Sequence, residues 1–495
     1  MSTTRVKSLK GAEIVFENEV KASGGMKDIH FHPDKDYVVG FFREGGNSRA
    51  LRDRLTEITG RYRENLLDNA CGPFWEKHFC WPYDVVEHEG RLGVVVPFYD
   101  SAFFFQHGSN KNDKLKIRSR DKEGKWFVGA NRDRHLDPRE KGTWLAYFQI
   151  GLAIARAVRR LHMAGLSHSD LSYKNVLLDP TTGRACIIDI DGLVVPGKYP
   201  PDVVGTPDFI APEVVATQHF EREDPNRKLP SQTTDRHALA VLIYMYLFYR
   251  HPLRGRKVHD ADPMKDEALG MGERAVFVEH PSDKSNRINP SDLHPAALPW
   301  GDPDQRPISM AGPHLEKLFY RSFIDGLHTP EKRPSASEWE TALVRTLDMI
   351  QPCSANCEMG WYVFDNSRNP HCPHCGAPHG TSLPVLNLYS SRQKGRFLSD
   401  DHRIMVWNGQ SLFPWHASRK VFPNEHLKEA QKKRVGYFQE HKGIWYLVNE
   451  GLTDMKDAAS GQKIPIGGKI ALVENAQILL SAEEGGRLIH VQIAG

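Results

Sequence analysis

The stretch LSHSDLSYKNVLLDPTTGRACIIDIDGL places two carboxylates and an amide, Asp170, Asn175 and Asp189, within twenty positions of one another. Moving a phosphoryl group needs a carboxylate to receive or orient the nucleophile's proton. It also needs oxygen ligands that hold Mg²⁺ against nucleotide phosphates. All three residue types are present. A hairpin turning at Asp179-Pro180-Thr181-Thr182-Gly183 would bring Asn175 and Asp189 side by side at one end of two short strands.

A second constellation is the cysteine set. Four of seven cysteines fall between Cys353 and Cys375, spaced Cys353-x3-Cys357 and Cys372-x2-Cys375. Two such knuckles close one tetrahedral thiolate site for Zn²⁺. Four thiolates leave no open coordination position, so the metal's role is structural, folding a segment too short for its own core. His371, His374 and His379 are expected to be exposed, and Cys71, Cys80 and Cys186 to be small buried apolar residues.

The chain carrying these groups has 495 residues, 40% hydrophobic and 26% charged, with a formal net charge of +3. That length suits about three domains, and the composition excludes a disordered or fibrous chain. The charge balance gives no reason to expect nucleic acid or membrane binding. The longest apolar run, Ala238 to Tyr249, is too short for a bilayer span and predicts a buried helix. With no apolar segment behind the basic N-terminus, a cytoplasmic location is expected.

Three textures position the reactive groups. Short alternating runs up to about Tyr99, broken by one charged helical stretch, predict a small sheet with a helix. From Pro138 to about Asp348 the pattern is mostly helical, with GTWLAYFQIGLAIARAVRRLHMAG the clearest amphipathic helix. Between them, residues 106–137 are polar and aperiodic. The part KNDKLKIRSRDKEGK has seven basic residues against three acids, which reads as a solvated insertion or a docking surface for an acidic partner. After the cysteines, short strands at regular spacing with Gly-rich turns predict an all-β sandwich or barrel.

On these residues the region from Gly11 to Asp348 resembles a protein kinase. HSDLSYKN is similar to the catalytic loop H-R-D-L-x-x-x-N, which implies Asp170 as base and Asn175 as a Mg²⁺ ligand, with Ser169 in the place of the Arg. IIDIDG is similar to the D-F-G region, implying Asp189 as a second ligand and Asp191 in the glycine's place, itself a further candidate ligand. GTPDFIAPE resembles the end of an activation segment, and KRPSASEW resembles the motif whose Arg, here Arg333, pairs with the glutamate Glu213. Lys174 is a candidate for neutralising the transferring phosphoryl. No hydroxyl switch is expected between Gly192 and Ala211, where only Tyr199 and Thr206 carry one.

The first hundred residues depart from that pattern. The phosphate-covering loop is reduced to Ser23-Gly24-Gly25. The strand expected to carry a lysine reads YVVGFFR, so that Gly40 or Phe42 takes the lysine position. Lys27 is the substitute candidate for holding phosphates; otherwise it is an exposed loop lysine. Glu57 or Glu64 would supply the helix carboxylate that pairs with it. Phe98, after the strand LGVVV, would meet the adenine.

The resemblance implies an α+β fold: a bilobal protein-kinase-like region (1–100 and 101–350, with the basic insertion 106–137), a zinc ribbon at 351–381 and a forkhead-associated-like β-sandwich at 382–495. Arg419 is the candidate phosphate-facing residue of the last. The combination resembles soluble bacterial kinases of tellurite-resistance-type stress systems. That implies an ATP- and Mg²⁺-dependent Ser/Thr protein kinase with structural Zn²⁺ and a protein substrate. Von Willebrand A-type and Ser/Thr phosphatase proteins are its implied partners. The rival reading is a pseudokinase scaffold.

Overall fold

The computed structural model describes residues 2–23, 26–43, 47–201, 205–367, 369–379, 382–393 and 396–494. The chain is α+β and folds into two compact units. One comprises Met1–Gly142, Ala146–Ile308 and Lys317–Glu340, and the other Thr143–Leu145, Ser309–Glu316 and Thr341–Gly495.

In the first unit, β1 (Thr3–Lys7) pairs with β2 (Glu13–Glu17), and five further strands form one antiparallel sheet. They are β3 (Ala22–Ser23), β4 (Lys27–Phe31), β5 (Tyr37–Phe42), β6 (Asp84–His88) and β7 (Arg91–Pro97), in the order β3-β4-β5-β7-β6. Alternation along β5 sends successive side chains to opposite faces. Val39 and Phe41 join Phe16, Val86 and Val95 in one core, while Phe42 joins Leu55, Val85 and Val94 in another. Leu55 comes from α1 (Arg49–Glu57), whose start is capped by Ser48, its side chain accepting from the Leu51 amide at 3.1 Å. Such a cap satisfies one of the orphan donors of the first turn.

The helical part contains α2 (Trp144–Met163) and α3 (Gln232–Phe248). From Ala238 to Phe248 every residue of α3 is buried, as expected of a helix that is apolar all round. A capping box at Ser231 and Thr234 fixes its start, which places Asp235 in the first turn at 2% exposure.

Residues 106–137 are not the solvated insertion the composition suggests. Ile117, Phe127 and Leu136 are buried, and so are two of the cations, Lys122 and Arg132. The Lys122 ammonium lies 3.1 Å from Glu140 and 3.6 Å from Asp179. Burial of a charge is tolerated where opposite charges surround it, and those partners are remote in sequence. Of the cations in this stretch, Lys111, Lys114, Lys116, Arg118, Arg120 and Arg134 are exposed and Lys125 is half-buried.

The second unit holds a short pair, Ile350–Pro352 with Trp361–Val363, next to the cysteines. Beyond them are two antiparallel sheets, one of five strands between Leu383 and Ala494 and one of four between Ser411 and Ala471. Leu386, Ile404, Phe438, Leu447, Ile478 and Ile489, drawn from both sheets, share one core. Buried residues alternate with more accessible ones along Ile444–Asn449 and over most of Arg487–Ala494, as in packed sheets, whereas Leu383–Leu386 is buried throughout.

Candidate functional site

Asp235 holds the loop that precedes Asp170. Its carboxylate accepts the amides of His168 at 2.8 Å and Ser169 at 3.3 Å, and contacts His162 Nε2 at 3.1 Å. His168 Nε2 lies 2.9 Å from the Ile188 carbonyl, tying the loop to the segment before Asp189. Ser169 is driven to φ +67°, a left-handed conformation that a non-glycine residue keeps only when its surroundings impose it.

Asp170 is then fixed from two sides. Its Oδ1 accepts the Thr206 amide at 2.7 Å, and its Oδ2 accepts Asn175 Nδ2 at 3.0 Å. The same Nδ2 donates to the Asp170 carbonyl at 2.8 Å, so the Asn175 amide oxygen is the atom left to face a cation. Lys174 is exposed beside it.

Two short strands, β8 (Val176–Asp179) and β9 (Arg184–Ile187), pair from Val176–Ile187 to Asp179–Arg184. The Ile188 amide donates to the Asn175 carbonyl at 3.0 Å. Asn175 and Asp189 thus leave the same end of the hairpin. Asp189 has φ +61° and opens a single turn, Ile190–Gly192, that brings Asp191 beside it.

Lys27 closes the cluster. It lies on β4, and its ammonium donates to Asp189 Oδ1 at 2.8 Å and to Asp191 at 2.8 and 2.7 Å. With 16% side-chain exposure it is not an exposed loop lysine. The reason is lateral: Lys27 pairs with Phe42 across the sheet, so it shares a face with Gly40 two residues on. A Cβ on Gly40 would stand 3.4 Å from Lys27 Cδ and 3.2 Å from Ile29 Cδ1. The missing side chain leaves the path along which the lysine stem crosses β5.

Charge follows geometry. Burial works against the Lys27 ammonium, but Asp191 and Asp189 outweigh it and hold its pKa above the ordinary lysine value. Burial also pushes Asp189 up, and Lys27 overrides it, leaving that carboxyl below its usual range. At Asp191 burial prevails and the carboxyl is raised.

Other expected residues stand elsewhere. The Glu57 carboxylate is ion-paired with Lys198, and Glu64 is exposed, so neither meets Lys27. Helix α1 aims Glu57 at the segment beyond Asp191, a pairing with no signal in the local sequence. Gly24 and Gly25 lie outside the described residues. Phe98 is half-buried, stacked on Phe104 with ring centres 5.6 Å apart and edge-on to Phe31 at 5.4 Å. Leu177, Cys80 and Cys186 are buried together near Val96 and Tyr99, whereas Cys71 is half-buried. Glu213 and Arg333 form a bidentate pair at 2.8 and 2.7 Å.

In the second unit the four sulfurs of Cys353, Cys357, Cys372 and Cys375 lie within 4.8 Å of one another. Cys353 to Cys375 is 3.5 Å and Cys357 to Cys372 is 3.9 Å. A tetrahedron with Zn–S bonds of about 2.3 Å has edges of about 3.8 Å, whereas a disulfide needs about 2.05 Å. The donor set therefore fits a zinc ion. Burial raises the Cys353 thiol, but the amides of Cys357 and Ala355 and the neighbouring thiols bring it down to about 7. His374 is not exposed: it is half-buried, edge-on to Trp144 at 4.7 Å. His379 is likewise half-buried, and His371 and Arg419 are exposed.

Comparison with known proteins bears on this arrangement. Residues 140–338 match the family described as "Protein kinase domain". A dual serine/threonine and tyrosine protein kinase of Apis mellifera is 36% identical over 94 residues, 19% of this chain and 10% of that protein. Its namesake from Pan troglodytes is 41% identical over 225 residues, 40% of this chain and 23% of that protein. The serine/threonine-protein kinase PknD of Chlamydia muridarum is 25% identical over 261 residues, 46% of this chain and 25% of that protein. The chain thus spans a quarter or less of the length of these relatives. The matches support a protein kinase domain over residues 140–338. No helix among the described residues is long and apolar enough to cross a membrane.

Proposed function

We propose that this chain is an ATP- and Mg²⁺-dependent protein kinase that transfers the γ-phosphate to a Ser or Thr hydroxyl of a protein substrate. The observation that supports the reading is that Asn175, bonded to Asp170, and Asp189, which shares Lys27 with Asp191, leave the same end of one hairpin. Asp170, oriented by the Thr206 amide and the Asn175 side chain, accepts the hydroxyl proton as that oxygen bonds to the γ-phosphorus. The bond to the β,γ-bridging oxygen breaks, and ADP leaves. Asn175 Oδ1 and the Asp189 and Asp191 carboxylates are the hard oxygen donors that would hold Mg²⁺, which supplies charge neutralisation to the phosphates. Lys27 is the point charge for the phosphates, as the usual strand lysine is replaced by Gly40 or Phe42. Lys174, next to Asn175, is the candidate for neutralising the transferring phosphoryl.

Zinc held by the four cysteines has a structural part in this reading. The C-terminal sheets serve as a forkhead-associated-like module. A bacterial stress-response setting, with von Willebrand A-type and phosphatase partners, rests on the combination of domains alone. The scaffold reading is favoured by one observation, that Lys27 and Glu57 are both engaged by the segment 189–198. Incubation with Mg²⁺ and ATP labelled at the α or the γ phosphate separates the readings. A kinase incorporates γ label and loses it in Asp170→Asn and Asp189→Asn. Incorporation of α label indicates nucleotidyl transfer, and none of either indicates the scaffold.

A further inference from the structure

Residues 109–120 form a loop whose construction the phosphoryl-transfer site does not use. Its one acidic side chain, Asp113, is turned inward. Asp113 Oδ1 accepts the Ser109 amide at 2.9 Å, the Ser109 hydroxyl at 3.1 Å and the Ile117 amide at 3.0 Å, while Oδ2 accepts the Arg118 amide at 3.1 Å. Ile117, 1% exposed, pins the loop to the core. Around that anchor the backbone is left-handed at Lys111, Asn112, Asp113, Lys116 and Ser119, with φ from +52° to +64°. Each such residue is disfavoured for an L side chain and persists only where the surroundings impose it.

This folding turns the cations outward. Lys111, Lys114, Lys116, Arg118 and Arg120 are all exposed, and none forms an ion pair among the described residues. Leu115 stands among them at 41% exposure. The basic run at 428–434 is different, because Lys432 pairs with Glu429 and Arg434 with Glu450, both at 2.7 Å. On a chain with a net charge of only +3, the loop is a concentrated positive field.

We propose that the loop 109–120 is a docking surface for an acidic protein segment, its five cations taking carboxylates and Leu115 meeting an apolar side chain among them. A peptide fits better than the other polyanions. The loop holds no aromatic side chain on which bases could stack. One exposed leucine is far less apolar surface than a bilayer-inserting element presents.

The test uses the full chain and a fluorescently labelled peptide of glutamates flanking one leucine, with binding read by anisotropy. The wild-type chain is expected to bind at about 50 mM salt and at least about tenfold more weakly at about 300 mM, where screening is stronger. The variant Lys114→Glu/Lys116→Glu/Arg118→Glu is expected to lose at least about tenfold in affinity through removal and reversal of exposed charges. Lys432→Glu/Lys433→Glu is expected to bind as the wild type does. Circular dichroism confirms that both variants are folded. The proposal is overturned if the triple variant binds equally well or the control loses as much. It is also overturned if a single-stranded oligonucleotide or a phosphatidylserine vesicle outcompetes the peptide through the same residues.

Discussion

Replacing Lys27 by Met removes the only ammonium among the described residues that meets Asp189 and Asp191 while keeping the stem that crosses Gly40. Removing one partner of a buried ion pair costs about 3–5 kcal/mol. Asp191 is 7% exposed, but Asp189 is 44% exposed, so water screens part of the loss and about 1–3 kcal/mol is expected. The sign of the pH dependence follows from Asp191. Its carboxyl already lies above the ordinary range, and without the ammonium its repulsion by Asp189 raises it further. A carboxyl with a raised folded-state pKa destabilises the fold where it is ionised. The variant therefore loses stability as pH rises from the unfolded value, about 3.9, through the raised one. Lys27, with its own pKa raised, stabilises the wild-type fold throughout that window. Thermal unfolding without nucleotide should show a deficit of about 2–4 °C per kcal/mol lost, small near pH 5 and larger near pH 8. Equal stability at every pH, or a deficit that widens toward acid, would refute the reasoning.

Three further outcomes are expected. Arg333→Ala leaves Glu213 without its guanidinium and frees the Gly326 and Leu327 carbonyls, so urea denaturation should show a loss of about 3–5 kcal/mol. In the second unit, Asp348 Oδ2 meets His402 Nε2 at 2.6 Å and its Oδ1 meets His416 Nε2 at 3.2 Å. Burial pushes the Asp348 carboxyl up, yet these imidazoles hold it well below the usual range. Its contribution is present above about pH 3.9 and lost as pH falls toward the depressed value. Asp348→Asn should thus lower stability by about 1–3 kcal/mol at pH 7 and narrow the gap to wild type in acid, as urea denaturation across pH will show. Thiol modification of the native chain should release about one zinc per chain, measured with a chelating dye, whereas Cys375→Ser should be purified with little metal.

What the sequence alone revealed was local. The Asp170 to Asn175 spacing, the turn residues 179–183 and the cysteine pairs are patterns of residue type and interval over a few positions, so they could be grouped, whereas the Thr206 amide and the Asp235 carboxylate lie 36 and 67 positions from the residues they hold. Lys27 was harder, since its position depends on which residue faces it across a sheet. The Phe42 pairing and the close approach of the Lys27 stem to Gly40 are properties of strand register, not of the motif around the lysine. The polar stretch 106–137 misled for a similar reason. Lys122 reads as a surface lysine until Glu140 and Asp179 are brought to it. The contacts of Asp348 with His402 and His416 span 54 and 68 positions and carry no pattern that periodicity could detect.

The central claim is that a lysine from the neighbouring strand completes a working phosphoryl-transfer site. Transfer of γ-labelled phosphate to protein, compared among wild type, Lys27→Met and Lys27→Met/Gly40→Lys, tests it most directly. The account predicts transfer by the wild type, a loss of at least about a hundredfold in Lys27→Met, and recovery of at least about tenfold when the ammonium is returned from position 40. A Lys27→Met chain as active as the wild type, or a wild-type chain with no transfer, would contradict it.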